Sequence, residues 1–279
     1  VAQAIHGILN PYQVANPDLG PSKIATYLKC PREYKIRYVD KLTASVNAPA
    51  ALGSAVHSVI AYGHSQQWSR RNADDAAGML EAVWEGIEPV GKRDPDMVVA
   101  YRQARDAWLP WYLRWQEPQD TIVVEERWEA NVPEELDGGL EEPIRLTGTI
   151  DRVYVDNPEG VPILSDIKSG ARAPNRHDLA THLQLSLYAW AFRCVGARDT
   201  HGLELVHLRG GCTYRTTRTD EYLAHVLRMT VVPVALAIRA GSFPAHPGSL
   251  YGCRYCTVHQ HCPVGRPAGN GDEHTHGCD

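Results

Sequence analysis

The order of elements along this 279-residue chain predicts one α/β domain with a helical insertion. Three observations lead there. Apolar residues recur at helical spacing up to about residue 116. Three strand-like runs follow between Thr121 and Lys168. After them the pattern reads helix, strand, helix. Hydrophobic residues make up 43% and charged residues 22%, as in ordinary globular proteins. The boundaries read as an N-terminal arm over 1–20, a single domain over 21–262 and a flexible tail over 263–279. Within the domain, the helical insertion covers about 54–118 and the catalytic core about 119–240.

Taken in order, Ser22 reads as a helix cap, with Ile24, Tyr27 and Leu28 on one helical face. Cys30-Pro31 marks a break, and Pro31 suits the first position of a new helix. Residues 43–51 are a loop of small residues, and Gly53 to about Trp68 is helical. The stretch 74–116 is helical with interruptions near Pro89, Pro95 and Pro110. Its Trp84, Trp108, Trp111 and Trp115 read as packing residues. Strands are predicted over Thr121–Ala130, Ile144–Val155 and Val161–Lys168. The last two flank the turn Asn157-Pro158-Glu159-Gly160. His177–Val195 reads as a helix, with Cys194 as a small core residue. Leu203–Leu208 reads as a strand and Glu221–Ala240 as a helix.

The net charge of −5 argues against a general nucleic-acid coat protein but suits a site that holds cations. Two basic stretches, Lys29–Lys41 and Arg209–Arg218, are either solvated faces or phosphate contacts. No apolar run approaches the about 20 residues of a membrane span, and the first residues lack a secretory pattern. No membrane association is expected, and the expected location is the cytoplasm.

The hairpin holds the densest chemistry. With the turn at 157–160, Asp156 faces Val161, and the same register puts Asp151 opposite Asp166. Their Cβ atoms should then stand about 5 Å apart. Lys168, two residues further on, shares their face. The neighbouring residues are apolar, so the sheet is covered and the two carboxylates repel in a poorly solvated place. A divalent cation resolves that conflict. A salt-bridged hairpin end would use the same residues, so the hairpin alone leaves both readings open.

Its neighbours supply more. The runs Leu52-Gly53-Ser54-Ala55-Val56-His57, Gly148-Thr149-Ile150-Asp151-Arg152-Val153, Asp166-Ile167-Lys168-Ser169-Gly170 and Gln184-Leu185-Ser186-Leu187-Tyr188 occur in that order. In them the sequence resembles the PD-(D/E)XK nuclease superfamily and, within it, RecB-type exonucleases. Each motif is short and weak; four in order are specific. The resemblance implies a restriction-endonuclease-like core, a mixed central β-sheet flanked by helices. It implies Asp151, Asp166 and Lys168 as catalytic residues. It also implies Mg²⁺ or Mn²⁺ held by His57, Asp151, Asp166 and the Ile167 carbonyl. Without it, His57 would read as a satisfied core histidine. Gln184 and Tyr188, one helical turn apart, would contact DNA or orient the lysine. Glu125 is a candidate outer carboxylate.

Seven cysteines are present. Cys253-x2-Cys256-x5-Cys262 is a compact triplet that needs a fourth ligand, and Cys30 lies far upstream. Spacing alone does not separate a Cys₄ zinc site from a cluster. The pattern resembles the iron–sulfur RecB-type nucleases, AddB-like and CRISPR-adaptation nucleases among them. That implies a [4Fe–4S] cluster on Cys30, Cys253, Cys256 and Cys262, clasping the N- and C-terminal parts of the domain.

The expected function is metal-dependent cleavage of DNA ends or single strands. The setting would be recombination, repair or CRISPR adaptation, with partner proteins of those systems. The alternative is an iron–sulfur or zinc subunit that binds DNA ends with little cleavage. A phosphate-binding Gly-x4-Gly-Lys-Ser/Thr loop is absent, which excludes a helicase motor of that type.

Overall fold

The computed structural model describes residues 18–42, 48–87, 94–117, 119–196, 200, 202–246, 253 and 256–264. Five strands form one sheet in the order β1-β2-β3-β4-β5: Asp120–Asn131, Arg145–Val155, Ile163–Lys168, Gly202–His207 and Cys212–Thr216. β3 and β4 run parallel and the other neighbours antiparallel. This is the expected mixed sheet flanked by helices. Parallel neighbours need a crossover, and α8 (Arg176–Ala180) and α9 (Leu183–Gly196) supply it.

The sheet is covered on both sides. α1 (Pro21–Lys29) and α9 pack against one face around Ile24, Leu164, Leu185, Tyr188 and Leu205. The second face carries a layer of four helices. They are α3 (Ala48–Ser65), α4 (Ala73–Glu85), α5 (Pro95–Gln103) and α6 (Leu109–Gln116). Their core takes in Val56, Leu80, Trp84, Trp108 and Tyr112, together with Ile167 and Val206 from the sheet. Trp84 and Trp108 thus pack as expected.

Several elements differ from the sequence reading. α1 begins at Pro21, so Gly20 rather than Ser22 precedes it. Pro31 does start a short helix, α2 (Pro31–Tyr34). α3 begins at Ala48, because alanines favour helix over loop; residues 43–47 and Pro89 lie outside the described residues. Pro110 does not interrupt its helix. A single π turn, Ala104–Trp108, leads into it, and another, Leu227–Val231, leads into Pro233. A proline lacks the N–H and crowds the carbonyl four residues back, and a widened turn relieves both problems. Thr181 and His182 split the helix predicted over 177–195. β5 is an addition to the predicted strands. Cys194 is exposed rather than packed in the core.

The arm expected over 1–20 is partly held. Leu19 is buried and bridges Leu146, and Asp18 pairs with Arg145. Asp220–Arg239 has the length and hydropathy of a membrane span. Here its Leu223, Leu227, Val231, Ala235 and Ile238 pack into the core. The basic stretches are mostly neutralised internally. Lys29 and Arg37 pair with the buried Glu33, and Lys35 pairs with Asp40. Arg215 pairs with Asp156 and Glu204, and Arg218 is buried among hydroxyls and carbonyls.

Candidate metal centre

The turn sets the site. The Asn157 side chain both donates to and accepts from the Val161 backbone, closing the loop. β2 and β3 then pair as Tyr154↔Ile163, Val153↔Leu164 and Arg152↔Ser165, the register the turn predicts. The next pair in that register would be Asp151 and Asp166. There the ladder stops, and the Ile167 N–H donates to Asp151 Oδ2 at 2.7 Å. The two carboxylates therefore sit where the strands part.

Close packing holds the flanking elements in place. Trp128 lies across Gly148, where a Cβ would come within 2.6 Å of the indole. α3 approaches the segment after β3 so tightly that a Cβ on Gly53 would stand 3.1 Å from Ser169 Oγ. One turn further along α3, His57 Nε2 lies 2.9 Å from the Ile167 carbonyl oxygen. Its Nδ1 faces Glu125 at 3.7 Å and Asp151 at 3.9 Å. Ligand atoms of His57, Glu125 and Asp151 all lie within 4.8 Å of one another. Glu125 has φ +52°, a left-handed conformation that is rare for a glutamate within a strand. Such strain persists where a site needs it.

On the other side, Lys168 Nζ donates to Asp166 Oδ1 at 2.9 Å and to Gln184 Oε1 at 3.0 Å. Gln184 Nε2 donates to the Tyr188 hydroxyl at 2.6 Å, and Tyr188 donates to Asp151 Oδ1 at 3.3 Å. The chain of donors runs in one direction, from lysine to the second aspartate. The structure thus brings together every predicted residue of the centre. It also adds His182, at the head of α9, within electrostatic reach of Asp166 and Lys168. Nothing in its sequence neighbourhood marks it.

The electrostatics are those of a crowded acidic site. Burial, with Asp166 beside it, raises Asp151 to about 6, although His57 and Lys168 pull the other way. Burial disfavours the charged forms of His57 and Lys168. Carboxylates outweigh it in both cases: Glu125 and Asp151 raise His57, and Asp166 and Asp151 raise Lys168. Burial and Asp151 hold the Tyr188 hydroxyl protonated, as a donor. Asp166 Oδ2 is fully buried and has no hydrogen-bond partner. A naked buried carboxylate oxygen is costly, and a cation there would satisfy it. His57 turns Nδ1 toward Glu125 and Asp151, and the ligand atoms of the three lie within 4.8 Å of one another, one imidazole with hard carboxylate oxygens. The residues present therefore fit a hard divalent ion.

Comparison with known proteins identifies the family. The family model of the PD-(D/E)XK nuclease superfamily matches residues 18–263. The chain belongs to that superfamily. Its members are metal-dependent nucleases. Among solved structures, a "Putative exonuclease" from Eubacterium rectale is similar in fold. The identity is 11%, the TM-score 0.51, and the match covers 95% of this chain and 94% of that one. The protein SSO0001 is similar at 15% identity and a TM-score of 0.42, covering 91% and 89%. No curated protein matches.

The cysteines form a second feature. Ile36, Val258 and Cys262 make a small buried cluster with Cys256 packed against it. This joins the C-terminal segment to the turn that continues α2. Burial raises the Cys256 thiol, a backbone bond at Val258 opposes it, and Glu33 and Cys30 add to it. Cys253 precedes Cys256 by one backbone-bonded turn. Cys278 and the histidines of the tail lie outside the described residues.

Proposed function

We propose that this chain is a Mg²⁺- or Mn²⁺-dependent deoxyribonuclease of RecB type. It acts on DNA ends or single strands in recombination, repair or CRISPR adaptation, with partner proteins of those systems. One observation carries the proposal. Ligand atoms of His57, Glu125 and Asp151 converge within 4.8 Å of one another, and beside them stand the unpartnered Asp166 oxygen and Lys168, held by Asp166.

In this reading His57, Asp151, Asp166 and the Ile167 carbonyl hold the ion, and Glu125 contributes from the outer side. When bound, the ion polarises the phosphate and activates a water. The protein residues do the rest. Lys168 remains an ammonium between two carboxylates, so it serves as a donor rather than a base. Two of its N–H bonds are taken by Asp166 and Gln184, which leaves a third for the attacking water or a phosphoryl oxygen. Gln184 and Tyr188 lock the lysine to Asp151 and keep its direction fixed.

The same proposal places a [4Fe–4S] cluster on Cys30, Cys253, Cys256 and Cys262. The packing of Cys256 and Cys262 against the turn after α2 supports it. A cluster there would tie the ends of the domain together. Anaerobic purification tests both parts. The protein should be brown, contain iron and acid-labile sulfide, and cut end-labelled single- or double-stranded DNA only with Mg²⁺ or Mn²⁺. A colourless zinc protein would sink the cluster, and intact DNA with every metal would sink the nuclease.

A further inference from the structure

A second cavity of about 710 Å³ lies next to the catalytic cleft of about 620 Å³, and the two share Ala61. His57, Ala61 and His64 are spaced four and three residues apart on α3, so one face of the helix runs from cleft to cavity. Trp68, Gln119 and Thr121 also line the second cavity.

Behind its wall lies Arg152, which is fully buried. Its Nε and Nη2 donate to Thr121 Oγ1 at 3.0 and 2.6 Å, and its Nη1 donates to Gln119 Oε1 at 2.7 Å. The guanidinium also lies over the rings of Trp115 and Tyr154. Among the described residues, no carboxylate forms an ion pair with it. A buried cation satisfied only by neutral oxygens and ring faces is costly, which points to a use. Arg152 donates twice to the Thr121 hydroxyl oxygen and once to the Gln119 carbonyl, which leaves the threonine O–H and the glutamine NH₂ as donors. Arg152 also sets a positive potential behind them. A ligand there should present neutral acceptors. Phosphate is disfavoured, because Glu117 and Asp120 line the same cavity. A nucleobase has carbonyl and ring-nitrogen acceptors on a flat apolar ring, and Trp68 lines the cavity.

We infer that this cavity is a nucleobase subsite, taking the base of a nucleotide near the scissile phosphate on the same strand. The inference rests on the nucleic-acid reading of the site. It adds selection for single strands, because a paired base could not enter the cavity.

Binding tests it without cleavage. Lys168→Ala protein is titrated with short fluorescein-labelled single-stranded oligonucleotides, each lacking one base at a different position. One position should bind about tenfold more weakly, the scale of one stacked base. Ser65→Trp and Ile122→Trp, each added to Lys168→Ala, place bulk in the cavity from exposed positions. Either should cost about the same on the intact strand and nothing more on the strand already lacking that base. Equal binding at every abasic position would overturn the subsite, as would filled variants whose loss is the same with and without the base. If wild-type protein cuts no DNA but the abasic effect appears, the nuclease reading fails and the subsite stands. If it cuts and the profile is flat, the subsite alone fails.

Discussion

Asp151→Asn should make the metal-free protein more stable at neutral pH while abolishing cleavage. Burial and Asp166 raise the Asp151 carboxyl to about 6, against an ordinary value of 3.8. About two pH units of preference for the protonated form correspond to roughly 3 kcal/mol. The sign follows from proton counting. Below 3.8 both folded and unfolded chains carry the proton, and the group adds no pH dependence. Between 3.8 and 6 the unfolded chain releases it first, so stability falls as pH rises, and above 6 the loss is complete. Asparagine keeps an oxygen for the Ile167 N–H and carries no charge. Urea denaturation in EDTA should therefore show the two proteins alike near pH 4. At pH 7.5 the variant should be ahead by up to about 3 kcal/mol. With Mn²⁺ present the order should narrow or reverse, because only the wild type gains from the ion. A variant no more stable than wild type at pH 7.5 in EDTA would refute the claim that the site stores repulsion for a cation to relieve.

Other perturbations read other parts of the structure. Gln184→Leu should lower kcat about tenfold or more with little change in stability, because Lys168 loses one of two anchors; steady-state kinetics check this, and Gln184→Glu should restore part of the loss. Gly148→Ala drives a Cβ into Trp128 and should cost about 1–3 kcal/mol by denaturant melt. Arg215→Met strips the fully buried Glu204 of its cation, leaving Tyr154 and Ser165, and should cost about 3 kcal/mol. Burial, with Arg152 nearby, lowers His64 to about 4, so the unfolded chain takes up its proton first on acidification. Stability should fall as pH drops from about 6.5 to 4, and His64→Gln should flatten that limb in a pH-dependent melt.

The sequence revealed the centre of this fold better than its edges. The hairpin register was legible because Asn157–Gly160 fixes the turn, and the turn fixes which residues pair beyond it. The parting of the strands at Asp151 was not legible, since it depends on a side chain displacing a ladder bond. Glu125 was only a loose candidate, because no local pattern announces a left-handed glutamate. β5 was hidden by the glycines before it and by its half-exposed polar residues. The π turns before Pro110 and Pro233 answer a local conflict that tertiary packing resolves. His182 gains meaning only from the turn that delivers it to the site.

In the proposed function, Asp166 and Lys168 are the working groups of a metal-dependent nuclease. Its most direct test is cleavage of end-labelled single-stranded DNA in Mn²⁺ by wild type, Asp166→Asn and Lys168→Ala, after equal folding has been verified by circular dichroism. Cutting by the wild type alone is expected, abolished by EDTA and restored by added Mn²⁺. Wild-type rates from both folded variants would contradict it.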